Sequence, residues 1–189
     1  MNQYDPANVC AFKKVNEQWG EFSNMAAFPL NVNRVEVRTS EALYQAMRYP
    51  HLPEVQQEII AQKSPMAAKM KSKPHRKSDT HQLFLDHQLG VMEWCVRLKI
   101  AQHYAAFSSL FRQTEGRAIV EDSHKDKFWG AVRDQNTGLL VGENQLGRIL
   151  TKIRDEFLLD KNSIRSVPAL GLEGMSLLGK SLNFTYQAK

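Results

Sequence analysis

Between Glu143 and Leu159, the residues Leu146, Ile149, Leu150, Ile153 and Phe157 recur at the three- and four-residue spacing that lines one side of an α-helix. A stripe that wide has to be covered by other parts of the chain, so this helix belongs to a packed core. More helices precede it. One follows Thr39-Ser40 and ends near Tyr49-Pro50. Another runs from Pro53 to Gln62 with proline in its first turn, and a third begins at Ser64-Pro65 and covers MAAKMK. Residues 78–89 read as helical. Gly90 is expected to break the pattern before a strong helix from Val91 to His103, and another covers Ala105 to Arg112. Strands are fewer and shorter. They lie within residues 9–15 (VCAFKKV), 117–120 (RAIV) and 139–141, with a hairpin in FPLNVNRVEVR around Asn33-Arg34. No βαβ series is visible. The expected class is α+β: a mostly helical single domain, residues 1–160, with a few short antiparallel strands. Periodicity fades after Asp160, so residues 161–189 are expected to form an irregular C-terminal tail.

Composition narrows the partners. A hydrophobic content of 42% supports a core, and a formal net charge of +5 favours an anionic partner such as a nucleotide, a phosphorylated sugar or nucleic acid. Lys63, Lys69, Lys71, Lys73, Arg76 and Lys77 fall in a run with His75 and no acid. That run is either a solvated surface or a contact for DNA or RNA phosphates. Cys10 and Cys95 are far apart and no CxxC pair exists, which argues against a disulfide framework and a zinc site. No metal-ligand spacing is present, and no cofactor is implied. With no apolar run of membrane-spanning length and no secretory pattern in MNQYDPANVC, a cytoplasmic protein without a membrane partner is expected.

Four stretches can carry chemistry. In VEDSHKDKFWG (residues 120–130), acids and lysines run into Phe128-Trp129-Gly130. Aromatic rings followed by glycine suit a wall that stacks on a flat ring, and carboxylates beside it are what cleavage of a sugar–base bond needs. A charged loop with Trp129 plugging the core is the alternative. In TSEALYQAMRY, Glu41, Tyr44, Gln45 and Arg48 stand on one helical face, a palette suited to a ribose or a base edge, or else a solvent-facing stripe. Lys99 shares a helix side with Met92, Cys95 and Val96. It either snorkels to the surface or is desolvated and able to attack a carbonyl. In GENQLG, the glycines bracket a helix start whose N–H groups can hold a phosphate, unless Gly142 simply ends a strand.

Together, EFSNMAAFPL, TSEALYQAMRY, SPMAAKM, VRLKIAQH, VEDSHKDKFWG and GENQLGRILTKIRDE resemble, in order, the motifs of the NADAR family, which includes YbiA-like proteins. The resemblance implies an α+β fold of mostly helical character and N-glycosidase activity. It points first to removal of ADP-ribose from guanine in nucleic acid, and alternatively to phosphorylated intermediates of riboflavin biosynthesis. A module that binds ADP-ribose or nucleic acid without turnover is the remaining alternative. By the resemblance, Glu41, Lys99 and Asp126 are the expected catalytic residues. Glu41 serves as acid–base, Asp126 holds the ribose hydroxyls or the developing positive charge, and Lys99 traps the opened sugar as an imine. Phe22, Ser23, Asn24, Tyr44, Gln45, Arg48, Trp129, Gly130, Asn144 and Gly147 are expected to bind substrate. Phe22 or Trp129 would stack on a ring, and Arg48 and the backbone near Gly142–Gly147 would hold the pyrophosphate.

Overall fold

The computed structural model describes residues 1–188. Its elements, in chain order, are β1 (Asn2–Tyr4), β2 (Cys10–Phe12), β3 (Leu30–Val32), β4 (Val35–Val37), α1 (Ser40–Ala46), α2 (Pro53–Ile60), α3 (Pro65–Ser72), α4 (Gln82–Gln102), α5 (Tyr104–Gln113), β5 (Ile119–Ser123), β6 (Ala131–Arg133), β7 (Leu140–Gly142), α6 (Gln145–Leu159), β8 (Ser166–Val167), β9 (Ser176–Leu177), β10 (Lys180–Ser181) and β11 (Tyr186–Gln187). The class is α+β, as the sequence pattern implies. The chain divides into two compact units, Met1–Ala26 with Tyr104–Ile164, and residues 27–103 with 165–188.

The first unit is built on a five-stranded sheet of order β1-β7-β6-β5-β2. The sheet is mixed. β2 and β6 both run parallel to β5, while β7 pairs antiparallel with β6 and with β1. A parallel neighbour ordinarily needs a crossover of a dozen or more residues. Here residues 124–130 suffice, because the register pairs only the end of β5 (Asp122, Ser123) with the start of β6 (Ala131, Val132). The stretch VEDSHKDKFWG is therefore the end of a strand and its crossover loop. The apolar stripe of α6 is buried as its spacing requires, and Phe157 packs on Phe111 of α5 with ring centroids 5.8 Å apart.

The second unit carries the β3–β4 hairpin. Asn33 and Arg34 both have positive φ, 49° and 64°, as a tight primed turn demands, and Leu30, Val32, Val35 and Val37 all point into the core. Thr39 Oγ1 accepts the Ala42 N–H at 3.2 Å to start α1, and Ser64 Oγ accepts the Ala67 N–H at 3.1 Å to start α3. Gly90 does not end a helix. α4 runs unbroken past it, and the one irregularity lies earlier, at His87 (φ −121°, ψ 17°). A single glycine costs a helix only about 1 kcal/mol, and the buried residues Val91, Met92, Trp94, Cys95 and Val96 hold the helix beyond it. The segment expected to be an irregular tail also departs from that reading. β8 pairs with β11 and β9 with β10, while Val167, Met175, Leu177 and Leu182 are buried. Among the described residues, no helix is long and apolar enough to cross a membrane.

Candidate active site

Every residue of α1 is buried, because α2, α3 and α4 all pack against this one short helix. The face carrying Glu41, Tyr44 and Gln45 thus turns inward and not to solvent, with Glu41 only 7% exposed. Buried polar groups need partners, and Glu41 and Gln45 have them. Gln45 Nε2 donates to Glu41 Oε1 at 2.9 Å. Gln45 Oε1 accepts from Arg48 Nε and from Arg76 Nη2, each at 3.2 Å. Two guanidinium donors on the amide oxygen fix which way the amide points, so its NH2 is committed to Glu41. Lys69 Nζ stands 3.9 Å from Glu41 Oε1.

Lys69 and Arg76 come from the basic run that the sequence presents as one surface. The structure splits that run. Lys63, Lys71, Lys73 and Lys77 are exposed, whereas α3 and the 3-10 turn Lys73–Arg76 carry Lys69 and Arg76 to α1. No local pattern marks those two residues. The only hint is that the run holds no acid, so its charges must be answered elsewhere, as Glu58 answers Lys71 at 2.7 Å.

Lys99 is fully buried, which rules out snorkelling. Its Nζ lies 5.7 Å from the centre of the Phe28 ring. Cys95 precedes it by one turn of α4. Burial pushes the Cys95 thiol up, and the charge of Glu41 pushes it further. The field of Glu41 therefore reaches α4 one helical turn, roughly 6 Å, from Lys99. Burial likewise pushes the Tyr44 phenol above its ordinary value, with Arg48 opposing and Cys95 and Glu41 adding to the rise. Tyr44 stays neutral at physiological pH. Arg48 lies 4.6 Å from the centre of the Phe84 ring and 5.4 Å from that of Tyr44, and its burial disfavours the charged form.

The remaining expected site residues belong to the first unit. Asp126 Oδ1 accepts the N–H groups of Phe128 and Trp129, each at 2.9 Å, and so shapes the crossover loop. Phe128 and Trp129 meet at 84° with centroids 5.0 Å apart, forming a corner and not a continuous flat wall. Asp122 is answered by Arg133 at 2.9 Å and Lys13 at 3.6 Å. Phe22 is no open stacking surface. It is fully buried against Phe12, Phe107 and Phe111, at 6.1, 6.4 and 6.1 Å. Ser23 and Asn24 are buried after it, and Ser23 Oγ accepts the Met25 N–H at 3.2 Å.

The start of α6 does not offer the phosphate cradle its glycines suggest. The N–H groups of Glu143, Asn144, Gln145 and Leu146 donate to the carbonyls of Lys127, Gly130, Phe128 and Trp129 at 2.7 to 3.0 Å. The crossover loop has taken the donors a phosphate would need. The Asn144 side chain bridges Glu121 N–H and Ile119 C=O. Gly147 is required because a Cβ there would lie 2.1 Å from the Ile119 carbonyl oxygen, and at Gly130 one would lie 2.7 Å from that of Glu121. These glycines admit the protein's own backbone. Among the described residues, no group of His, Cys, Asp and Glu is placed to hold a metal ion.

An α+β chain that buries a carboxylate, an amide, a phenol and a lysine within one helical unit has the make-up of an enzyme and not of a scaffold. The model of the NADAR domain family matches residues 11–158, and the chain belongs to that family. The N-glycosidase YbiA of Escherichia coli strain K12 is 32% identical over 157 residues, which cover 81% of this chain and 91% of that protein. The NMR structure of E. coli YbiA superposes with a TM-score of 0.69 at 27% identity, over 82% of this chain and 87% of that one. The chloroplastic riboflavin biosynthesis protein PYRR of Zea mays is 28% identical over 164 residues, 80% of this chain but 25% of the maize protein.

Proposed function

We propose that the chain is an N-glycosidase that hydrolyses the bond between a ribose and a base. The observation that carries this reading is that Glu41, fixed by Gln45, and Lys99 are both buried, on the packed helices α1 and α4 of one unit. A water-poor setting strengthens both acid–base and nucleophilic roles. Glu41 gives a proton to the base as the C1–N bond breaks and its electron pair leaves with the base. The neutral amine of Lys99 bonds to the cationic C1 that the base leaves behind, and the C1–O4′ bond then breaks with its electron pair on O4′, which takes one proton of the amine and leaves a protonated imine. Hydrolysis of that imine restores the amine and releases the sugar, so the net co-reactant is one water.

The first substrate to test is ADP-ribosylated guanine in nucleic acid, with the exposed Lys63, Lys73 and Lys77 available to backbone phosphates. Similarity to a riboflavin biosynthesis protein favours a second reading, a small phosphorylated riboflavin intermediate. Incubating the protein with both substrates and measuring released sugar and base distinguishes the two. Glu41→Gln and Lys99→Ala are each expected to lower kcat by at least about 100-fold with the melting transition retained. Borohydride is expected to fix a sugar adduct on the wild type and none on Lys99→Ala. Full turnover in either variant removes that residue from the mechanism.

A further inference from the structure

With the start of α6 closed to phosphate, the positive charge that a phosphorylated substrate needs must come from elsewhere, and α1 has a surplus of it. Arg48 and Arg76 converge on Gln45 Oε1, and Lys69 approaches Glu41. Three cations against one carboxylate, +3 − 1, leave a net charge of +2. Arg76 Nη2 is held by Gln45 Oε1 and by the Lys69 carbonyl at 3.2 Å, yet its Nε is buried with no hydrogen-bond partner. Arg48 spends its Nε on the same amide oxygen, and its guanidinium lies against Phe84. Among the described residues, neither guanidinium has a carboxylate within ion-pair distance. Part-buried guanidinium groups left unanswered in this way are costly to the free protein, and the cost is recovered when a charged ligand arrives.

We propose that Arg48, Arg76 and Lys69 form the subsite for the phosphate of the ribosyl substrate. A phosphate monoester near pH 7 or a diphosphate carries about two negative charges, which matches the surplus. Guanidinium groups present paired N–H donors suited to its oxygens. Gln45 joins this subsite to Glu41, with its Nε2 on the carboxylate at 2.9 Å and its Oε1 on both guanidinium groups at 3.2 Å. A sugar lying across Gln45 has its anomeric carbon towards Glu41 and its 5′ phosphate towards the arginines. The orientation of the sugar rests on the glycosidase reading, whereas binding of the anion does not.

Calorimetry on the full chain with ribose 5-phosphate, ADP-ribose and unphosphorylated ribose tests the subsite without turnover. At least one phosphorylated sugar is expected to bind at least about tenfold more tightly than ribose, and Arg76→Gln to weaken it by about 30-fold. Which of the two binds identifies a monoester or a diphosphate. The proposal is overturned if neither binds more tightly than ribose, or if Arg76→Gln binds as the wild type does. Should Arg76→Gln fail to fold, Arg76→Lys decides. It keeps the charge but loses the fork, so a loss of about tenfold is expected, and unchanged affinity overturns the subsite. A wild type that binds neither phosphorylated sugar more tightly than ribose, yet cleaves an unphosphorylated nucleoside, would reject the subsite and keep the glycosidase. Intact, Arg76-dependent binding without cleavage of any substrate would support the subsite and reject the glycosidase.

Discussion

Asn144 sits in the left-handed region (φ 53°), and both ends of its amide are spent on the backbone near β5, at 3.0 Å to Glu121 N–H and 2.9 Å to Ile119 C=O. Removing a buried partner costs about 1–3 kcal/mol for each group left unsatisfied, and alanine also fits this φ poorly. Asn144→Ala is therefore expected to lower stability by about 2–4 kcal/mol in a urea titration. A loss under about 0.5 kcal/mol would show that water can replace the amide. Tyr44 links residue chemistry to pH. Its folded phenol ionises above the unfolded value of about 10. The stability it contributes is therefore complete below about pH 10 and drains away as pH rises towards the folded value. Tyr44→Phe is expected to flatten the fall in stability above about pH 10, whatever it does to the level at neutral pH. An unchanged alkaline slope would exclude Tyr44 as its source. What the sequence reveals at this scale is direction. Spacing put Glu41, Tyr44, Gln45 and Arg48 on one face. It could not reveal that Arg76 and Lys69 join them, because those contacts cross 31 and 28 positions of chain with no repeating pattern (76 − 45 and 69 − 41). It also could not tell a glycine that admits a ligand from Gly147, which admits the carbonyl of Ile119.

Helices were legible as elements because periodicity and caps are local. Thr39, Ser64 and the α6 stripe all act where their types predict. The mixed sheet was not. Pairing β5 with β2 depends on strands separated by over a hundred residues, and no local signal records parallel register. Gly90 shows the limit of punctuation within a helix. It is exposed in α4, and a Cβ added there would meet nothing within 4 Å. Gly90→Ala is accordingly expected to raise stability by about 0.5–1 kcal/mol, by restricting the unfolded chain and favouring the helix. Urea midpoints of the two proteins check this. A lower midpoint would mean that the bend at His87 depends on the freedom of Gly90, tying two positions of α4 that look independent.

At the scale of the molecule, the family match ends at residue 158, yet the second unit is not complete without the residues that follow 164. The connection is Gln56, which is fully buried. Its Nε2 donates to the carbonyls of Ala46 (3.1 Å) and Ser176 (2.9 Å), and its Oε1 accepts the Leu178 N–H at 2.7 Å. One amide thus joins the end of α1 to the β9–β10 hairpin. Trp94 Nε1 reaches the Pro168 carbonyl at 3.1 Å and ties α4 to the same segment. Because α1 and α4 carry Glu41 and Lys99, the C-terminal segment braces the helices of the proposed site and is no appendage. Gln56→Ala leaves a carbonyl and an N–H of that segment without their partner, and a loss of about 2–4 kcal/mol is expected from two unsatisfied groups. The local consequence is more telling than the total. Trypsin should cut the variant first at Arg165 or Lys180, at a rate above wild type under conditions where the rest of the chain resists. If cleavage instead starts throughout the chain at once, the segment unfolds only with everything else, and Gln56 contributes to a single cooperative unit.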